Sequence, residues 1–505
     1  MARGKVFLVG AGPGDPGLIS ARGLELLAGA DVVLYDALAH PALRDVCRPD
    51  AELRNVGKRF GEPSSAQEAI NAELIALARE GHRVVRLKGG DPLLFARGAE
   101  EALALREAGI AFEIVPAVSS PIGAAAYAGI PLTHRELSSS VTFITGSDRA
   151  GVPWSPDSWK KLATATDTIC VLMGMRRIDA ICAAIVEGGR APTTPAAVIQ
   201  WGARAAQRVV TGTLATIADL SHAAGLANPA VIVVGEVVAL REQLAWFEAL
   251  PLFGKRLLVP RPSGQAARTA HAIRERGGEP TVMPLIEITA PPEPAPLTNA
   301  LAALGSYDWV LFTSENGVVR ALEALRAAGR DARAFGGTRI GVIGPRTGTA
   351  LERYGLVADL VAEEHVGEGL ARDILSRGTP RRVLVLRALS ARDALPNTLR
   401  EAGATVDVVA AYETKPVADA APKLTELLET RALDAVLLTS SSTAESLVER
   451  LGARAAELLS GLTIASIGPV TTKTAEGLGL RVAVTASTYT VDGLLDALER
   501  HYRGG

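Results

Sequence analysis

The second half of this chain repeats itself, and that repeat limits its possible folds more than any other feature. RLLVPRP (256–262) returns as RVLVLRA (382–388), and YDWVLFTSENGVVRAL (307–322) returns as LDAVLLTSSSTAESLV (433–448). RIGVIGPRTGTALERYGL (339–356) returns as TIASIGPVTTKTAEGLGL (463–480), and VGEGL (366–370) as VDGLL (491–495). The order is kept at an offset of about 125 residues, which marks a duplicated domain, since solenoid units run to about 20–50 residues. Each copy alternates strand and helix patterns, so the repeat predicts two similar open α/β domains. The proline-rich APPEPAP (290–296) marks a crossing between the copies. EIT (287–289) and YETKP (412–416) are placed to pair beside it as a two-strand connector.

The first half also alternates. Strand patterns lie at KVFLVG (5–10), DVVLYD (31–36), RVVRLKGGD (83–91), FEIVP (112–116), SVTFITG (140–146), TICVLMG (168–174), AAVIQWG (196–202) and AVIVVGEVV (230–238). Helical patterns such as SAQEAINAELIALAREG (65–81) separate them. Near-continuous Val/Ile/Leu strands between helices imply α/β layers with strands buried on both faces. LREQLAWFEALPLFG (240–254) reads as a short helix with a Pro/Gly stop, and as a junction. The chain has 505 residues, which predicts three or four domains at about 100–200 residues each. The expected division is 1–117 and 118–241 as two lobes, 242–254 as linker, 255–289 with 413–505 as one further domain, and 290–412 as another.

Charge and composition exclude several classes. Net charge is -2 and the signs are mixed, so the basic stripe of a nucleic-acid binder is missing. Local arginine clusters leave an anionic substrate open. The three cysteines, Cys47, Cys170 and Cys182, have no CxxC spacing, so neither a metal site nor a disulfide framework is expected. MARGKVFLVGAGPGD passes straight into a strand and lacks the pattern of a signal peptide. No apolar run of about 18 residues occurs, so no membrane span is expected. These features describe a soluble, cytoplasmic protein.

Two glycine-rich turns carry the chemistry of the first half. VGAGPGDPGL (9–18) directly follows a strand, and such turns let a backbone approach a ligand closely. Pro13 and Pro16 obstruct a regular pyrophosphate cradle, yet Asp36 ends the next strand, so a dinucleotide reading stays open. In RLKGGDPLLFARG (86–98), Gly89 and Gly90 would admit a ligand to the backbone. Asp91 would accept from a hydroxyl or ammonium, or simply cap a tight turn.

The ordered set GAGPGDPGL, ADVVLYD, VGKR (56–59), RLKGGDP, AAAYAGIPLTHR (124–135), SVTFITG and QRVVTGTL (207–214) resembles the tetrapyrrole methylase family. Within it, the match is to uroporphyrinogen-III C-methyltransferases, over roughly residues 4 to 241. The resemblance implies S-adenosylmethionine between two α/β lobes, against Pro13, Gly89, Gly90, Asp91, Leu94, Ser119, Ser120, Met173 and Gly202. It implies an acid/base pair of Asp36 and Lys58, a homodimer formed through this half, and double methylation of uroporphyrinogen III to precorrin-2. Without the family, Asp36 reads equally as a strand-end cap and Lys58 as a surface charge. The substrate carries many carboxylates, so Arg59, His134, Arg135, Arg149 and Arg176 are candidate partners, Arg135 in PLTHR foremost. Two positions depart from the family: Ala117 stands where a glycine is usual, and Ala37 where an arginine is common.

The second half shows no metal cluster, nucleophile–base pair or phosphate loop. Its distinctive residues are hydroxyls beside glycines, in TSENG (313–317), IGPRT (343–347), TSSST (439–443), IGPVTT (467–472) and YTVDGL (489–494). Such hydroxyls cap helices, or bind carboxylates where several face one cleft. With LPNTLREAGA (395–404) and AYET (411–414), these segments resemble uroporphyrinogen-III synthase from about 255 to 501. The resemblance implies closure of hydroxymethylbilane with inversion of its last pyrrole ring, Tyr412 assisting departure of the hydroxyl, and Ser441 and Thr471 as cleft hydroxyls. The product of the second half would then be the substrate of the first. The competing reading makes the second half a tetrapyrrole-binding module without turnover.

Overall fold

The computed structural model describes residues 4–57, 67–146, 154–261, 263–417 and 420–504. It divides into two compact units, Met1–Arg256 with Ala272–Glu279 and Glu499–Gly505, and Leu257–His271 with Pro280–Leu498. The fold is α/β throughout. Among the described residues, no helix is long and apolar enough to cross a membrane.

The first unit opens with β1 (Lys5–Gly10), β2 (Val32–Tyr35), β3 (Glu52–Asn55), β4 (Arg83–Lys88) and β5 (Ala111–Val115). They form an all-parallel sheet in the order β3-β2-β4-β1-β5. Successive side chains of a strand point to opposite faces, so both faces here must be apolar. Phe7 and Val9 pack with Leu26 and Leu27 of helix Ala21–Ala28. Val6 and Leu8 pack on the other face with Ile70, Leu74 and Leu77 of helix Gln67–Arg79. The carboxyl ends of β1, β2, β4 and β5 therefore deliver the 11–16 turn, Asp36, Gly89 and Pro116 to one edge, where open parallel sheets hold their ligands.

A carboxylate ties the other end of this sheet together. Glu113 accepts from Lys5 Nζ at 2.8 Å and from Arg22 Nε at 2.9 Å. These hydrogen bonds, Arg22 first, hold its carboxyl at about 2, well below the usual glutamate range. A depressed carboxyl contributes stability above its unfolded value and loses it as pH falls through its folded value. Wild-type chain should therefore lose stability between the ordinary glutamate range and about 2, a loss missing from Glu113→Gln. Urea unfolding of both across that interval checks this. Parallel curves would contradict it.

The second sheet contains β6 (Val141–Thr145), β7 (Thr168–Leu172), β8 (Pro195–Gln200), β9 (Arg208–Thr213) and β10 (Ala230–Val234), ordered β6-β7-β10-β8-β9. Only β6–β7 is parallel. The apolar run at 230–238 is not one strand: it ends at Val234, and Glu236–Leu240 coils into a 3-10 turn after Gly235 at φ 152°. The segment at 240–254 is more than a joint. It holds helix Arg241–Leu244 and the 3-10 turn Phe247–Ala249. Trp246 and Phe247 set their rings 5.1 and 4.8 Å from that of Tyr127, and Trp246 Nε1 donates to Ala126 O at 3.1 Å. Aromatic area of this kind is a strong reason for a segment to dock.

From residue 256 the strands are β11 (Arg256–Val259), β12 (Glu279–Val282), β13 (Ile286–Thr289), β14 (Trp309–Phe312), β15 (Arg339–Val342), β16 (Leu360–Val361), β17 (Arg382–Ala388), β18 (Thr405–Pro416), β19 (Ala435–Leu438), β20 (Thr463–Ser466) and β21 (Val484–Thr485). One sheet runs β12-β11-β19-β20-β21 and the other β13-β18-β17-β14-β15-β16. Set β13 aside and the two orders correspond strand for strand under the repeat. Each sheet nevertheless takes strands from both copies. β11 and β12 of the first copy join β19–β21 of the second, while β17 and β18 of the second join β14–β16 of the first. The connector pairs antiparallel as expected, Ile286 opposite Pro416 through Thr289 opposite Glu413.

Candidate functional site

The two glycine-rich turns of the first unit bond to each other. Gly90 N donates to Gly12 O at 2.9 Å and Gly12 N to Gly90 O at 3.3 Å. Gly90 has φ +69°, a left-handed backbone that suits glycine. Asp91 works inside the loop: Oδ1 accepts from Leu93 N at 2.8 Å and Oδ2 from Ala117 N at 3.1 Å. Each oxygen keeps one further lone pair for a ligand. Ala117 fits its place because residue 10 is glycine; a β-carbon there would lie 2.6 Å from Ala117 Cβ.

Helix Ser120–Tyr127 is the hub on which these loops converge. Pro13 packs on it so closely that a β-carbon at Gly123 would lie 2.3 Å from Pro13 Cγ. One at Gly202 would lie 2.4 Å from Ala124 Cβ, and one at Gly14 would lie 2.5 Å from Gly202 O. One at Gly90 would reach Ser120 N at 3.4 Å. Ser119, at the N-cap, makes no side-chain cap bond. Neither it nor Ser120 makes a side-chain hydrogen bond among the described residues. Pro121 has no N–H and Ile122 and Gly123 N donate to Ser119 O, so among the described residues the first turn offers the Ser120 N–H, positive helix-end potential and two free hydroxyls. That donor set fits a ligand bearing a carboxylate and hydroxyls. Sequence position alone did not show that Pro13, Gly90, Ser119, Ser120 and Gly202 meet on one short helix.

Left-handed backbone recurs in the segments that carry Leu94, Met173 and Gly202. Phe95, Arg97, Met173, Trp201 and Ala203 have φ of 55°, 61°, 56°, 51° and 60°. Each such residue costs about 1–3 kcal/mol, and such costs cluster at ligand sites. Leu94 lies in the turn where Gly98 N donates to Pro92 O at 3.0 Å. Gly89 faces Leu38, whose Cβ is 3.2 Å from a β-carbon built there. Met173 is 58% exposed at the end of β7, beside Gly146, with no recorded contact to the helix hub.

Asp36 stands at the mouth of a buried charge chain that sequence reading missed. Arg86 Nη2 donates to Asp36 Oδ1 at 2.5 Å, and Arg86 Nε to Glu101 Oε1 at 3.1 Å. Lys88 Nζ and Gln67 Nε2 also donate to that oxygen, at 2.8 and 3.1 Å. Side-chain exposure is 27% for Asp36 and only 3%, 2% and 0% for Arg86, Lys88 and Glu101. Burial, then Arg86, pushes the Lys88 ammonium below the usual lysine value. The available signal was RVVRLK, with two cations two residues apart on one face of an otherwise apolar strand. Gly57 packs against the Asp36 backbone, but Lys58 next to it, Arg59 and Arg149 lie outside the described residues. Arg135 and Arg176 are exposed, and Arg135 has no ion-pair partner among the described residues. His134 and Ser138 form a two-bond backbone bridge, with N–O distances of 2.8 and 2.9 Å.

In the second unit Tyr412 is buried, its hydroxyl 3.0 Å from Ser314 Oγ. Ser314 caps helix Glu315–Ala327 by accepting from Gly317 N at 3.1 Å. Its repeat mate Ser440 caps helix Ser441–Leu451 in the same way. Ser441 Oγ accepts from Thr474 Oγ1 at 2.9 Å. Thr471 is buried near the start of helix Pro469–Gly477, as its repeat mate Thr347 is in helix Pro345–Glu352. Both helices begin at glycines, Gly344 and Gly468, that supply no cap; over them lie His365 and Tyr489 respectively. Among the described residues, no hydrogen bond joins Tyr412 to Ser441 or Thr471. Among the described residues no His/Cys/Asp/Glu group is placed to hold a metal ion.

Known proteins resemble this chain in two blocks. The tetrapyrrole (corrin/porphyrin) methylases match residues 5–218, and uroporphyrinogen-III synthase HemD matches residues 267–496. A porphyrin biosynthesis protein HemD of Ruminiclostridium josui is 37% identical over 499 residues, 99% of this chain and 98% of that protein. A siroheme synthase of Pseudomonas putida is 50% identical over 245 residues, 48% of this chain and 52% of that protein. The chain thus spans about half the length of that relative. Among solved structures, uroporphyrin-III-C-methyltransferase from Thermus thermophilus is 42% identical, with 48% of this chain and 97% of that one covered and a TM-score of 0.41. Likeness from end to end, with both blocks in the same order, shows that the chain belongs to the family in which a tetrapyrrole methylase is fused to a uroporphyrinogen-III synthase.

Proposed function

We propose that the first half methylates uroporphyrinogen III twice to precorrin-2, and that the second half makes uroporphyrinogen III from hydroxymethylbilane. The observation that carries the first reading is the shared sheet edge: Asp36, held by Arg86, opens beside the loops gathered on helix Ser120–Tyr127. Pro13, Gly89, Gly90, Asp91, Leu94, Ser119, Ser120, Met173 and Gly202 would hold S-adenosylmethionine, which supplies a methyl group on a sulfonium.

The protein's own work is to place a pyrrole carbon and to exclude water. A ring carbon that gains a methyl makes the macrocycle cationic. The Asp36 carboxylate is suited to stabilise that charge and to take up the ring proton. Lys58 and Arg135 are assigned to substrate carboxylates or, for Lys58, to proton supply. In the second half, the Tyr412–Ser314 pair would give a proton to the departing hydroxyl. Ser441 and Thr471 would hold carboxylates, and the protein would chiefly enforce the folded bilane. We assign residues 1–117 and 118–241 to the methylase lobes, 242–254 to the link, and 255–289 with 413–505, and 290–412, to the synthase domains. A homodimer through the methylase half fits the apolar hollow of about 440 Å³ lined by Ile122, Leu132, Leu244 and Trp246.

Two separate assays test the halves. With hydroxymethylbilane alone, the III isomer should form in excess over the I isomer that arises spontaneously. With uroporphyrinogen III and S-adenosylmethionine, the product mass should rise by two CH2 units, because each methyl gained is matched by a ring proton lost. A product that is all isomer I would favour a binding module without turnover.

A further inference from the structure

Strand β4 carries two cations in what is otherwise a wall of the core. Valine or leucine at 86 and 88 would complete that wall at no electrostatic cost, since buried charges give weak returns in stability. The arrangement of the four charges shows a direction. Only Asp36 reaches the open edge, while Arg86, Lys88 and Glu101 are sealed behind it. The guanidinium is a rigid planar fork. Its Nε is fixed on Glu101, its Nη1 faces the carbonyls of Leu34 and Leu87 at 3.4 and 3.3 Å, and its Nη2 holds Asp36. The plane of that fork sets the orientation of the Asp36 carboxylate, and the Nε–Glu101 bond sets the plane.

Glu101 is loaded on one side. Oε1 accepts from Arg86, Lys88 and Gln67, whereas Oε2 is enclosed without a hydrogen-bond partner among the described residues. A carboxylate serving only stability would be expected to use both oxygens, because an enclosed unpaired acceptor is costly. Among the described residues, the remaining charges near this chain are Arg97, which feels Glu101, and Glu100, which feels Lys88; both are exposed and pair with each other.

We propose that Glu101 is a positioning residue for methyl transfer, acting on Asp36 through Arg86, with Lys88 as its counter-charge. This rests on the reading of Asp36 as the group beside the reacting ring. Glu101→Gln keeps the size of the side chain and removes the charge. In the full-length chain it should lower the methylation kcat by about 10–100-fold, the scale of a small misplacement at a reacting centre, with KM for S-adenosylmethionine unchanged. Glu101→Asp should recover part of the rate, and synthase activity in the same chain reports that the remainder is folded.

A folded Glu101→Gln chain with wild-type kcat overturns the proposal. If that variant does not fold, the charge-neutral double variant Glu101→Gln/Lys88→Met is read by kcat and KM, and a wild-type kcat there overturns it equally. Asp36→Asn separates the two levels. If Asp36→Asn methylates normally, the reading of Asp36 is wrong. If Asp36→Asn is inactive while Glu101→Gln is normal, only the positioning role is wrong.

Discussion

Asp36→Asn is expected to lower methylation of uroporphyrinogen III by about 10²–10⁴-fold, the range of a positioned acid–base group, with the synthase rate unchanged. The substitution isolates charge from shape. An asparagine Oδ1 can still accept from Arg86 Nη2, and the backbone N of residue 36 still donates to Leu87 O at 3.0 Å. The end of β2 therefore keeps its bonds. What is lost is the only anion of the buried chain that opens to the sheet edge. Steady-state rates of methylated product, with S-adenosylhomocysteine binding as a control for the cofactor site, check this. A loss below tenfold with intact binding would reduce Asp36 to a strand-end cap for Arg86.

The second large effect is expected at Gly202. An alanine there would put its β-carbon 2.4 Å from Ala124 Cβ and 2.8 Å from Ala124 Cα, both on the hub helix. No flexible side-chain end is available to yield, so the helix start or the 201–203 turn must move, at about 1–3 kcal/mol for overpacking. Trp201 and Ala203 already hold left-handed backbones on either side, which leaves the turn little freedom. Displacing the helix displaces the Ser119 and Ser120 hydroxyls and the Ser120 N–H together. Gly202→Ala should weaken S-adenosylhomocysteine binding at least ~10-fold by calorimetry, as one misplaced ligand-facing turn readily does. Gly337→Ala, where an added β-carbon meets nothing within 4 Å, should leave it unchanged. Equal binding by both variants would contradict the hub.

Much of this fold was legible because apolar runs are long and repeated. β1 was read to its ends, and the pairing expected of 287–289 with 412–416 at the crossing between copies is found at 286–289 with 413–416. The exchange of strands between copies was not legible, since a repeat period says nothing about which partner a strand chooses in space. β3 was missed because ELRN is a charged edge strand without an apolar pattern. The run at 230–238 misled because Val237 and Val238 are buried in a 3-10 turn, and burial alone does not distinguish strand from coil.

The candidate site divides in the same way. Glycines at 89, 90 and 202 were found by motif, and the structure adds what each approaches. Asp91 was read as a ligand acceptor or as the cap of a tight turn; both its oxygens accept backbone N–H groups, and each keeps a lone pair. Arg86, Lys88 and Glu101 escaped notice because charges are ordinarily read as solvated, and only the third dimension encloses them. The second half gave hydroxyls without an arrangement; the structure pairs Tyr412 with Ser314, a residue read before only as part of a motif.

The central claim is that one polypeptide performs two consecutive steps. The direct measurement supplies the full-length chain with hydroxymethylbilane and S-adenosylmethionine as the only substrates, and follows product mass and isomer by chromatography. The account predicts dimethylated precorrin-2 of the III series. Accumulation of unmethylated uroporphyrinogen I, with S-adenosylmethionine unconsumed, would contradict it.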